Sequence, residues 1–101
     1  MSTGPEAKLE RKANDLAKRK HGALVVKGDG GGGPDRFYFL PDKRLVIVEW
    51  KSPVGKLTEN QKHWLTQAYK RGFEAYVLRD IESFKRILED GPQPDLLYVP
   101  E

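Results

Sequence analysis

A chain of 101 residues with 18 basic and 15 acidic side chains, for a formal net charge of +3, has the length for one domain over 1–101 and none for a second core. Its 38% hydrophobic and 33% charged residues suit a small globule rather than a disordered chain, and its longest apolar run, 45–48, excludes a membrane span. The absence of cysteine excludes a disulfide scaffold and a thiolate metal site, residues 1–9 lack the apolar core of a secretory signal, and the expected location is the cytoplasm.

The pattern of residues 6–20 predicts a helix, with Leu9, Ala13, Leu16 and Ala17 on one face and Gly22 as its stop. A short strand over 23–27 leads into the glycine-rich segment 28–34, which is expected to be a flexible loop. Strands over 35–40 and 45–51 are joined by the hairpin signal Pro41-Asp42-Lys43-Arg44. A loop over 52–57 precedes a helix from Thr58 to about Arg71, which Gly72 ends. A strand over 74–78 follows. Asp80 then caps a last helix with the apolar stripe Ile81, Phe84, Ile87 and Leu88. The prolines at 92 and 94 break the chain before an edge strand over 96–99. One mixed α/β sheet flanked by helices accommodates this order, with a core over about 6–90 and an acidic extension over 91–101.

The charge is uneven. Residues 1–79 carry 16 basic and 9 acidic side chains, whereas residues 80–101 carry 2 basic and 6 acidic ones. A basic body with an acidic tail suits a phosphate-bearing partner if the tail packs away from it.

Strand 45–51 ends in an unusual way. Leu45-Val46-Ile47-Val48 is apolar at both parities, so both faces are expected to be covered. Glu49 and Lys51 then share one face and Trp50 takes the other. Charges at the end of a covered strand lose hydration at high cost unless something binds them. The hairpin brings Asp35 beside them, and register decides whether it joins their face. A regular four-residue connection places Asp35 opposite Trp50, on the wrong face. A three- or five-residue connection, or a bulge, places it with Glu49 and Lys51, and this is the expectation. Two such carboxylates suit a hard divalent cation, and the lysine can position water and offset charge on a phosphate. The two histidines, His21 and His63, fall at a helix end and in a helix interior, outside this group.

The pattern Pro34-Asp35 … Glu49-Trp50-Lys51 resembles the PD-(D/E)xK nuclease superfamily. Its surroundings, Gly33-Pro34-Asp35-Arg36 upstream and Gly55-Lys56-Leu57-Thr58-x-x-Gln61 downstream, followed by Arg71-Gly72-Phe73, resemble the VRR-NUC family (virus-type replication-repair nuclease) in its compact stand-alone phage and bacterial members. The resemblance implies a restriction-endonuclease-like αβββαβ core and a Mg²⁺- or Mn²⁺-dependent endodeoxyribonuclease. It implies catalytic roles for Asp35, Glu49, Lys51 and Gln61. It also implies a metal shell of Asp35, Glu49, the Trp50 backbone carbonyl and a glutamate of the first helix. Glu10 fits the family spacing, twelve residues before Gly22, better than Glu6 does. Gln61 has a second reading, since Thr58-x-x-Gln61 is a capping box. Trp50 stands where the family leads one to expect a smaller apolar residue, and its side chain is expected to pack on a helix.

Lys27, Arg36, Lys56, Lys62, Lys70 and Arg71 are the expected phosphate contacts. Nothing resembles a recognition helix or zinc finger, and the glycine segment lacks the Gly-Lys-Ser/Thr ending of a P-loop, so neither sequence-specific cutting nor a nucleotide cofactor is expected. The stand-alone relatives imply a homodimer acting on branched DNA such as a four-way junction, in a bacterial or phage-infected cell. The alternative is a non-catalytic nucleic-acid-binding domain that retains the fold.

Overall fold

The computed structural model describes residues 4–28 and 35–101. Of the expected glycine loop 28–34, residues 29–34 lie outside the described residues. Helix α1 (Pro5–His21) begins with proline in its first turn, where a missing N–H costs nothing. It ends at Gly22, whose φ of 65° is the left-handed cap. Strands β1 (Leu24–Lys27), β2 (Arg36–Leu40) and β3 (Arg44–Trp50) form an antiparallel meander. Helix α2 (Glu59–Lys70) carries the chain over to β4 (Glu74–Leu78), which pairs parallel to β3, and α3 (Ile81–Asp90) follows. The sheet order is β1-β2-β3-β4 and the sheet is mixed, as expected. The expected edge strand over 96–99 is reduced to one bridge between Leu97 and Tyr76 and a bond from the Tyr98 N–H to the Ala75 carbonyl at 2.8 Å.

The two faces of the sheet have different covers. Tyr38, Val46, Val48, Trp50, Tyr76 and Leu78 pack against Ala13 and Ala17 of α1 and Phe84, Ile87 and Leu88 of α3. The small alanines of α1 let that helix lie close to the sheet. On the other face, Ile47 and Ala75 meet Leu65 and Ala68 of α2. Val46, Ile47, Val48, Glu49 and Trp50 are therefore all buried, which is the doubly covered strand that its apolar run predicts. Arg44 fastens β3 to β4 by a two-pronged pair with Glu74, both contacts at 2.8 Å.

The β2–β3 connection is three residues long. Leu40 pairs with Arg44, leaving Pro41, Asp42 and Lys43 outside the ladder. Asp42 and Lys43 take φ values of 65° and 64°, the left-handed conformation that lets so short a loop reverse the chain. The odd length has the expected consequence for register. Arg36 stands opposite Val48, so one residue further on Asp35 comes level with Glu49 and shares its face.

Candidate active site

At the end of the sheet, Asp35 and Glu49 face each other from adjacent strands. The Asp35 carboxylate accepts the Trp50 N–H at 2.8 Å, and the Asp35 carbonyl accepts the Gly28 N–H at 3.0 Å. The side chain thus ties β3 to β2 one residue beyond the ladder. The Trp50 N–H is turned toward β2, so the Trp50 carbonyl leaves the strand on the same side. Beneath it the Trp50 ring is fully buried, edge-on to Phe84 at 5.2 Å, as expected of a helix-facing side chain. Its Nε1 donates to the Tyr38 hydroxyl at 3.0 Å, and that hydroxyl meets the Asn14 carboxamide at 2.6 Å. This buried chain locks the strand end to α1 one helical turn beyond Glu10.

Glu49 is 2% exposed. Its Oε2 accepts from Gln61 Nε2 at 3.2 Å, while its Oε1 is buried without a donor. Burial pushes the Glu49 carboxyl up to about 8, helped by the adjoining hydrogen bond and charge of Asp35 and opposed by the charge of Lys51. A buried carboxylate oxygen with no donor, beside a second carboxylate, is a donor set that fits a hard divalent cation.

Gln61 forms the expected capping box and also reaches the Glu49 carboxylate. Its Oε1 accepts the Thr58 N–H at 2.9 Å while its own N–H bonds back to Thr58 Oγ1 at 3.1 Å, completing the capping box. The remaining amide nitrogen is the one that reaches Glu49. The first turn of α2 therefore orients the buried carboxylate.

Glu10 lies close enough to feel Asp35 and Lys27, but its carboxylate pairs with Arg36 at 2.6 Å. Burial raises its carboxyl, and the Arg36 charge acts in the opposite direction. Glu6 is near enough to raise both Glu10 and Glu49. Among the described residues, no three acidic or histidine side chains are already gathered as a closed metal shell. Asp35 and Glu49 stand together, with Glu10 turned aside to Arg36.

The expected phosphate contacts divide by place. Lys27 is exposed and stands opposite Arg36 at the site's edge, whereas Arg36 is half-buried with its guanidinium on Glu10. Lys56 is exposed beside the loop after β3. Lys62 opens α2 and pairs with Glu59 at 3.6 Å. Lys70 and Arg71 lie at the other end of α2, roughly 15 Å along the helix from Gln61 at 1.5 Å per residue. There Arg71 bonds the Gln67 carbonyl at 3.0 Å.

Sequence reasoning missed Arg79. Its guanidinium donates to the carbonyls of Ser52 and Gly55, the latter at 2.8 Å, in the loop just after Lys51. The signal was present in the topology: a helix between two strands of one sheet implies a parallel pair, whose ends lie side by side.

The family model of the VRR-NUC domain matches residues 4–80. A solved structure described as a VRR_NUC domain is similar over 86% of this chain and 97% of that one, at 23% identity and a TM-score of 0.74. At that identity the likeness carries the fold. Comparison with curated proteins gives no match. The matched segment contains Glu10, Asp35, Glu49, Lys51 and Gln61, and by that match the chain belongs to the VRR-NUC family of nucleases.

Proposed function

We propose that the protein is a metal-dependent, structure-selective DNA endonuclease, with Asp35, Glu49 and Lys51 at its centre. The observation that carries this reading is the orphaned oxygen of buried Glu49 beside Asp35, on the face that Lys51 shares. Asp35, Glu49, the Trp50 carbonyl and Glu10, once released from Arg36, would hold Mg²⁺ or Mn²⁺. Bound there, such an ion would polarise a phosphate oxygen and lower the pKa of water.

The chain's own groups do the rest. Gln61 holds one oxygen of Glu49 and leaves the other turned to the site. Asp35 is held in register by the Trp50 amide. Lys51 orients the attacking water; its oxygen bonds phosphorus as the bond to the leaving oxygen breaks, the water's proton passes to bulk solvent and the leaving oxygen takes one from it. The Lys51 ammonium offsets the charge that builds on the phosphoryl oxygens. Lys27, Lys56 and Lys62 contact backbone phosphates near the cut, and Lys70 and Arg71 contact DNA further away.

The proposal extends to branched DNA cut by a homodimer, in which two-fold symmetry presents two sites to two strands. A second copy has a suitable surface on which to dock. Leu24 is 65% exposed, and Phe39, Trp64 and Phe73 are also exposed on the α2-bearing face, beside a groove of about 430 Å³ lined by Phe37, Ile47 and Trp64.

Cleavage of labelled duplex, flap and four-way DNA with Mg²⁺ or Mn²⁺ tests the proposal. The wild type is expected to cut the four-way substrate fastest. Asp35→Ala and Lys51→Ala are expected to lose at least about a hundredfold in rate, the scale of removing one preorganised charge. Equal cutting by all three would defeat the assignment. Binding without cutting under either metal would favour the non-catalytic reading.

A further inference from the structure

Arg79 directly follows β4, and nothing in the Asp35–Glu49–Lys51 group accounts for it. Strands β3 and β4 run parallel with Trp50 level with Leu78, and the Lys51 N–H bonds the Leu78 carbonyl at 2.9 Å. The chain therefore leaves both strands at the same end of the sheet, which brings Arg79 against the segment after Lys51. Its Nη1 donates to the Ser52 and Gly55 carbonyls, the two ends of a turn closed by the Gly55 N–H on the Ser52 carbonyl at 3.1 Å. Among the described residues no carboxylate pairs with Arg79.

The turn also lies beside the Lys51 side chain. A methyl group added at Gly55 would lie 3.4 Å from Lys51 Cδ and 3.1 Å from Ser52 Oγ. A side chain here would crowd the Ser52 hydroxyl and come up against the Lys51 stem, while the φ of Gly55 lies outside the left-handed range that Gly22, Gly72 and Gly91 occupy. The Lys51 stem borders the space that a side chain at Gly55 would take, and the Gly55 carbonyl is held by Arg79.

We infer that Arg79 is a positioning residue. By fixing the 52–55 turn it holds Gly55 against the Lys51 stem and aims the ammonium at the face of Asp35 and Glu49. The catalytic consequence rests on the nuclease reading; the ordering of Lys51 does not.

Two measurements on the full chain test this. In metal-supported cleavage of four-way DNA, Arg79→Ala is expected to lower kcat about tenfold with KM for DNA unchanged, the scale of a misplaced catalytic group. Added to Lys51→Ala it is expected to lower the rate no further, because it acts through that side chain. Arg79→Lys is expected to restore part of the rate, since an ammonium can reach one of the two carbonyls. Losses that multiply in the double variant, or a raised KM with kcat intact, would overturn the inference and make Arg79 a direct phosphate contact.

The second measurement follows the Lys51 side chain by ¹³C–¹H NMR of its ε-methylene, without metal or DNA. An ordered signal in the wild type is expected to become motionally averaged in Arg79→Ala and to shift in Gly55→Ala. An unchanged Lys51 signal in both folded variants would contradict the inference. Should Arg79→Ala fail to fold, Gly55→Ala carries the test, and a rate and a Lys51 signal left unchanged there would contradict it. A wild type that orders Lys51 through Arg79 yet cuts no DNA would condemn the nuclease reading and leave the positioning role standing.

Discussion

Glu49 binds a proton more tightly in the folded chain than in the unfolded one, because burial and Asp35 penalise its charge. Its carboxyl rises from an ordinary 4.5 to about 8. The metal-free folded state therefore holds more protons than the unfolded state between these values, and stability falls as pH rises through that window. Thermal melting without metal is expected to give a higher Tm at pH 6 than at pH 9. Glu49→Gln is expected to flatten that slope, and an unchanged slope would contradict the burial account. Adding Mn²⁺ is expected to raise Tm more at pH 8 than at pH 6, since cation and proton compete for the same oxygens. The Glu49–Lys51 pair was legible in the sequence because charged residues terminate an apolar strand, a pattern that is costly unless it is used. The pairing of Glu10 with Arg36 was not legible, since it depends on how closely α1 approaches the sheet end.

At the scale of elements, the first turn of α2 both starts a helix and holds the Glu49 carboxylate, and substitution can separate these tasks. Thr58→Ala is expected to cost about 1 kcal/mol of stability through the lost cap, with little effect on cleavage. Gln61→Glu keeps an oxygen for the Thr58 N–H but places a third carboxylate against Glu49. It is expected to retain most of the stability while losing cleavage, and equal activity in the two variants would contradict the link from Gln61 to Glu49. The β3 end rests on a buried donor. Tyr38→Phe would leave Trp50 Nε1 without its partner at a cost of about 1–3 kcal/mol, read by denaturant unfolding. Helix and strand positions were legible to within a residue or two, because periodicity, caps and glycine stops agreed along the chain. The hairpin's odd length followed from asking Asp35 to reach the face of Glu49. The edge strand over 96–99 fell short because Pro94 and Pro100 confine it to little more than one bridge.

Across the whole molecule, the sheet divides its labour between faces. One face is sealed by α1 and α3 and carries the rigid Trp50–Tyr38–Asn14 chain. The other is only partly covered by α2 and carries the site at its end and exposed aromatic residues along its length. Sedimentation is expected to show a dimer at micromolar concentration that Trp64→Ser or Phe73→Ser weakens, and a monomer throughout would count against two-fold junction cutting. The overall charge of +3 was a weak guide, because Lys70 and Arg71 sit far from the site and Arg36 is engaged by Glu10. In the proposed nuclease, Asp35 and Glu49 together hold the cation that hydrolysis requires. Calorimetric titration of Mn²⁺ into the wild type and into Glu49→Gln, without DNA, tests it most directly. Saturable binding in the wild type, weakened at least about tenfold by the substitution, is the predicted result. Identical binding by the two proteins would contradict the account.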